Sequence, residues 1–254
     1  MQEIFFNVLV IGDSCIDEYR FGSISRLNPE GPAPLLVVDH VTQNYGMASN
    51  VAANLRSFGV HVDLKVPPIL SKKVRYVDEK TGKHLLRIDQ DVYADPYSLD
   101  SQFLYDAIVI ADYAKGFVTE HLVGELRQRF DGPIFVDTKR TRLQTHDNVF
   151  YKINELEFSR LQQIPRNLIV TLGAKGCLYD GKMYAGLKVD TLDVCGAGDV
   201  FMAGLVFGYL SLGSVIKAIG LANTAAAISC KHLGTYTLTE QDVHLAQQEA
   251  LCTF

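Results

Sequence analysis

The string Asp193-Val194-Cys195-Gly196-Ala197-Gly198-Asp199-Val200-Phe201 contains residues that could hold an anion and take a proton beside it. Gly196 and Gly198 leave no side chain between a ligand and the backbone, and a helix opening at Asp199 would aim its first free N–H groups back at the loop. A carboxylate is a poor neighbour for phosphate unless it accepts the proton of a hydroxyl attacking that phosphate. Asp199 is therefore the candidate general base. Read alone, the same letters also fit an ordinary N-cap and turn. Cys195, just before the loop, is either small filler or a thiol that helix-start N–H groups would favour as an oxidisable thiolate.

Other polar groups sit where short apolar runs end. The run from Ile4 to Ile11 delivers Asp13 and Asp17, two carboxylates suited to sugar hydroxyls, although Asp13 could equally cap a turn and Asp17 could be solvated. The run from Ala107 to Ala111 ends in Asp112-Tyr113-Ala114-Lys115-Gly116, and the run from Pro133 ends in Asp137-Thr138-Lys139. Tyr151-Lys152-Ile153 releases Asn154-Glu155-Leu156-Glu157, and a further run carries Thr171, Gly173 and Gly176 in a turn. Runs this short, bounded by turn residues, predict buried strands. No G-x-x-x-x-G-K-[ST] loop occurs, so phosphates would rest on Gly196 to Asp199 and on Lys139.

Helical spacing predicts a helix from Met47 to Phe58, stopped by Gly59. Buried helices follow over 200–212 and 221–229, and a last one opens at Thr239-x-x-Asp242. Strands alternating with crossover helices make an α/β fold with a mainly parallel sheet covered on both faces. Between Tyr19 and Thr42 the pattern breaks. Pro29, Pro32 and Pro34 exclude a helix there, and the flanking β-branched residues predict a protruding flap of edge strands. After Val60 to Val66 the chain passes through Pro67-Pro68 almost at once into Lys72-Lys73-Val74-Arg75.

At 254 residues with 48% apolar content the chain can bury a continuous core. A net charge of −5, without a long basic run, argues against nucleic acid or an anionic membrane as partner. Cys15, Cys177, Cys195, Cys230 and Cys252 are odd in number and widely spaced, as reduced thiols are. Met1 to Phe6 lacks the basic start of a signal peptide, and no apolar run reaches about 18 residues. The expectation is a cytoplasmic protein with small-molecule partners.

The loop string resembles the D-[TS]-x-G-A-G-D-x-F signature of the ribokinase-like (PfkB) carbohydrate kinases, through Asp193, Gly196, Ala197, Gly198, Asp199 and Phe201. Tyr45 to Ala52 is similar to that family's N-terminal glycine motif, through Gly46 and Asn50. Asn154 and Glu157 match its N-x-x-E, and 222–226 resembles its A-N-A-A-A. Ser25 to Pro34 and Asp112 to Gly116 are similar to the corresponding stretches of bacterial heptose 7-phosphate kinases within the family.

The resemblance implies a single domain over 1–254, a ribokinase-like three-layer sandwich with lid strands within about 19–45 and 72–91. It implies ATP and Mg²⁺, with Asn154 and Glu157 meeting the metal through water. It places Lys139, Asn154, Thr171, Gly173, Gly176 and Asn223 on the nucleotide, and Asp13, Asp17, Gly46 and Asn50 on the sugar. Arg26, Arg75, Arg87 and Lys115 form a cationic set that could hold a phosphate on that sugar, or for the two strand arginines simply a solvated face. The lid implies a homodimer. Two departures stand out: Met47 replaces a second glycine, and several dozen residues after Gly59 are missing.

Overall fold

A computed structural model describes residues 6–99 and 103–252; Ile4 and Phe5, the expected start of the first strand, lie outside the described residues. In chain order, β1 (Asn7–Gly12) is followed by β2 (Ser14–Leu27), β3 (Pro34–Met47) and α1 (Ala48–Ser57). Next come β4 (His61–Lys65), β5 (Ser71–Asp78), β6 (His84–Gln90), β7 (Ala107–Asp112), α2 (Leu122–Arg127), β8 (Ile134–Thr138) and β9 (Val149–Asn154). The chain continues through α3 (Glu155–Phe158), β10 (Leu168–Thr171), β11 (Cys177–Tyr179), β12 (Lys182–Tyr184), α4 (Ala197–Leu212), α5 (Val215–Ser229) and α6 (Glu240–Cys252).

Eight strands form the main sheet in the order β12-β11-β10-β9-β8-β7-β1-β4. The six from β10 to β4 run parallel, and only the β11 and β12 edge is antiparallel. The continuous apolar run of β1 is explained by burial on both faces. Val8 and Val10 enter one core with α1, α4, α5 and α6, whereas Leu9 and Ile11 enter the other with α2. The two faces are unequally roofed. Opposite the long helices, α2 has only six residues, and Ala94, Tyr97, Leu99 and Phe103 pack against that core from a stretch without regular structure. That stretch is tied by Ala94 N–H to Lys115 O and by Tyr97 N–H to Phe117 O. Crossover helices between all strands, as expected from the alternation, are therefore not found: Pro67 and Pro68 send β4 straight into the second sheet, and β8 reaches β9 without a helix.

The second sheet, ordered β3-β2-β5-β6, is the expected lid. Asp17 pairs in register with Asn44 on β3 and Lys73 on β5, and Tyr19 pairs with Arg75. Its outer strands are wet, with Val37, Val41, Tyr45, Leu86 and Ile88 exposed. Among the described residues no helix is long and apolar enough to cross a membrane. Cys15, Cys177, Cys195 and Cys230 are free thiols; the side chain of Cys252 lies outside the description.

Candidate active site

The carboxyl ends of the parallel strands open into a cleft of about 1100 Å³, bounded by the glycine loop, the inner ends of lid strands β2 and β5, and the ends of β8, β9 and β10. Gly196 caps α4 with φ +75°, and a Cβ there would meet Asn50 Nδ2 at 2.8 Å, so both the turn and the packing require glycine. The helix begins at Ala197, two residues before its expected start at Asp199. Asp199 thus lies in the first turn, and its own N–H is spent on Gly196 O at 3.0 Å. Among the described residues the N–H groups of Gly196 and Gly198 have no partner.

Asp199 is buried, 6% exposed. Its Oδ2 accepts from Met47 N–H at 3.2 Å and from Asn50 Nδ2 at 3.0 Å, while Oδ1 accepts from the Tyr113 hydroxyl at 3.3 Å. Burial and the charge of Asp137 push its carboxyl up to about 6, against the pull of Lys152, Asn50 and Lys73. That is a working range for a base near neutral pH. Beneath the loop, Lys152 of β9 donates to Asp137 Oδ2 at 2.6 Å and to Gly198 O at 3.2 Å, and both side chains are buried.

On the lid side, Asp17 is ion-paired with Arg75, and both line the cleft. A Cβ on Gly46 would come within 2.3 Å of Asp17 Oδ2, which explains the glycine. Lys73, the register partner of Asp17 on β5, also faces the cleft. Asp13 is buried beside the cleft without lining it. Its Oδ2 accepts from Tyr113 N–H at 2.8 Å and Lys115 N–H at 3.3 Å, its Oδ1 has no partner, and burial raises its carboxyl. Asn50 holds Asp199 and, through its Oδ1, accepts from Asn54. Met47, expected to reshape the sugar pocket, is 3% exposed and does not line the cleft. Its peculiarity is the backbone, with φ +60° and ψ −133°, a region open to glycine and strained for any other residue.

Asn154 and Glu157 close a capping box on α3. Glu157 N–H donates to Asn154 Oδ1 at 2.9 Å, Asn154 N–H donates to Glu157 Oε2 at 2.8 Å, and Lys139 is ion-paired with the other Glu157 oxygen. Among the described residues no three acidic, histidine or cysteine side chains gather into a metal cage. A Mg²⁺ ion that keeps its waters would fit these donors, with Asn154 and Glu157 as the residues able to reach it through water. Thr171, Gly173, Gly176 and Asn223 line the same end of the cleft. The Asn223 amide already donates to the Tyr184 and Ala185 carbonyls, so it shapes the wall with its donors spent.

The expected cationic set is not brought together. Of its four members only Arg75 lines the cleft. Lys115 is ion-paired with Asp91, Arg87 with Asp89 at 2.6 Å, and Arg26 sits on the outer, exposed end of β2. Lys73, Tyr113, Asp137 and Lys152 are cleft residues to which sequence reasoning assigned no role. The usable signal was a charge on a strand otherwise read as buried, as at Lys152. The thiol of Cys195 is pushed up by burial and by Asp193, which agrees with the small-filler reading and not with the oxidisable thiolate.

Residues 152–242 match the family model for pfkB family carbohydrate kinases, a span that holds Lys152, the Asn154 and Glu157 box, the glycine loop and Asp199. Over that span the chain is similar to the pfkB family of carbohydrate kinases. The chain is 26% identical over 297 aligned residues to the bifunctional protein HldE of a Nitratiruptor species, covering 93% of the chain and 64% of that relative. The chain thus spans less than two thirds of the relative's length. The alignment is longer than the 254 residues of the chain, so the relative carries residues absent here. In fold the chain is similar to the ribokinase of Thermotoga maritima, with a TM-score of 0.69, 17% identity, and 96% and 99% of the two chains covered. It is equally similar to the Arabidopsis thaliana ribokinase complexed with ribose and ATP, with a TM-score of 0.69, 16% identity, and coverage of 96% and 99%. These likenesses show a ribokinase-like fold.

Proposed function

We propose that the chain transfers the γ-phosphoryl group of ATP to a sugar hydroxyl, and that the sugar is a phosphorylated one, the anomeric hydroxyl of a heptose 7-phosphate or a near relative being the acceptor. The observation that carries the reading is Asp199, a buried carboxylate with its proton affinity raised, beside two unpartnered loop N–H groups. The acceptor hydroxyl gives its proton to Asp199 as its oxygen attacks the γ-phosphorus. The N–H groups of Gly196 and Gly198 meet the charge on the transferring oxygens, and ADP leaves toward Lys139. Bound Mg²⁺ supplies charge neutralisation between the phosphates. Asp17 and Lys73 orient the sugar from the lid. Similarity to HldE and the heptose-kinase wording of 25–34 and 112–116 support the heptose choice.

A second reading, a kinase of the same family acting on another sugar, is favoured by the dispersal of Arg26, Arg87 and Lys115 away from the cleft. ADP release over a panel of free and phosphorylated sugars separates the two. Equal kcat/KM for a sugar and its terminal phosphate would select the second. We also propose a homodimer clasped through the exposed lid strands, checked by sedimentation at micromolar concentration, and a cytoplasmic setting suited to free thiols.

A further inference from the structure

The two carboxylate oxygens of Asp199 are not equivalent. Oδ2 is taken by two donors at the start of α1, Met47 N–H and the Asn50 amide, whereas among the described residues Oδ1 is met by the Tyr113 hydroxyl alone. A molecule that gives its proton to Asp199 must come to Oδ1, where a phenol already stands. Tyr113 is held there from several directions. Its N–H donates to Asp13 at 2.8 Å, and its ring has Lys73 Nζ 5.7 Å and Lys139 Nζ 5.1 Å from its centroid. One ammonium comes from the lid, the other from the end of β8. Burial and the charges of Asp199 and Asp137 push the phenol far above the ordinary tyrosine range, so it acts as a donor.

We propose that Tyr113 is a positioning residue that sets the choice between sugar and water: its hydroxyl holds the acceptor's place on Asp199 Oδ1 until a sugar arrives, and so suppresses hydrolysis of bound ATP. The inference rests on the kinase reading above. In the suppressed reaction a water oxygen bonds to the γ-phosphorus, the bond from that phosphorus to the bridging oxygen breaks, and ADP leaves with the electron pair. The proton of the water goes to Asp199. A single water has no second grip with which to displace the phenol. A sugar held at the same time by lid residues such as Asp17 displaces it as part of one binding event.

Tyr113→Phe keeps the ring beside the two ammonium groups and removes only the hydroxyl. With ATP and Mg²⁺ but no sugar, ADP release is expected to rise about tenfold over wild type, the scale of one lost hydrogen bond to a charged group. In the double variant Tyr113→Phe/Asp199→Asn that rise is expected to vanish, because it runs through the carboxylate. A general folding defect would lower release instead. Unchanged or lower release in Tyr113→Phe, or a rise that survives Asp199→Asn, would overturn the proposal. A second measurement is independent of turnover: the ¹⁹F resonance of 3-fluorotyrosine placed at position 113 is expected to move on Asp199→Asn, and an unmoved resonance overturns it as well. Wild-type transfer to the sugar panel is assayed separately. Its absence would remove the kinase reading, while the sugar-free comparison still judges Tyr113.

Discussion

Lys152 Nζ lies 2.6 Å from Asp137 Oδ2 and 3.2 Å from the carbonyl oxygen of Gly198, which places a buried ammonium directly under the glycine loop. The pair offsets the cost of two desolvated charges only while both are present. Lys152→Met should therefore destabilise the protein by about 3 to 5 kcal/mol, because Asp137 is left charged and alone. Lys152→Met/Asp137→Leu should recover much of that loss. Urea denaturation of the three proteins checks it, and a double variant no more stable than the single one would refute the account.

Asp199→Asn removes proton acceptance and leaves the shape of the cleft. Turnover should fall by roughly 10²- to 10⁴-fold while ATP and sugar still bind. A fall of less than threefold, with unchanged dissociation constants, would end the assignment of Asp199 as base.

The acid limb of the rate profile should belong to the same residue. With its carboxyl at about 6, kcat should drop tenfold per unit as pH falls below that value and level off above it. The stability effect has the opposite sense. A carboxyl raised in the folded state adds stability below its ordinary 3.8, and that contribution is lost as pH rises through about 6. In Asp199→Asn this component of the pH dependence should vanish from thermal melts.

Met47 occupies a glycine-type conformation with a buried side chain, so two opposed terms decide any substitution. Met47→Ala loses the packing and keeps the strain. Met47→Gly loses the packing and relieves about 1 to 3 kcal/mol of strain. Glycine should thus be the better tolerated of the two, the reverse of the usual order. Chemical denaturation that ranks alanine above glycine would sink this.

Burial and Asp193 keep the Cys195 thiol protonated, so peroxide should leave turnover intact even with ATP absent. Inactivation that follows mass-detected oxidation of Cys195 would show that the loop opens far more than this geometry indicates.

Much of the cleft could be read from spacing, because its motifs are local. Gly196 to Asp199, the Asn154 and Glu157 box and the Thr171 turn each depend on a few consecutive residues whose backbone requirements are visible in the letters. Lys73 was hidden for the opposite reason: its place beside Asp17 comes from β2 and β5 pairing across many intervening residues. Arg26 misled in the same way. It lies nine positions beyond Asp17 on one strand, and at about 3.3 Å per residue that is roughly 30 Å from the cleft end. The start of α4 was missed because Gly196, at positive φ, closes the turn earlier than an acidic N-cap would.

Four chain connections join the lid to the body, and two of them meet beside the cleft. Between β1 and β2 only Asp13 intervenes, while β3 passes into α1 at Met47 with no connecting residue. These two joints are bolted together, since Ala48 N–H donates to Asp13 O at 3.1 Å, and one of them reaches Asp199, since Met47 N–H donates to its carboxylate. Lid, α1 and Asp199 therefore share one pivot, and any tilt of the lid about it would be carried through the Met47 peptide to the donor on Asp199 Oδ2.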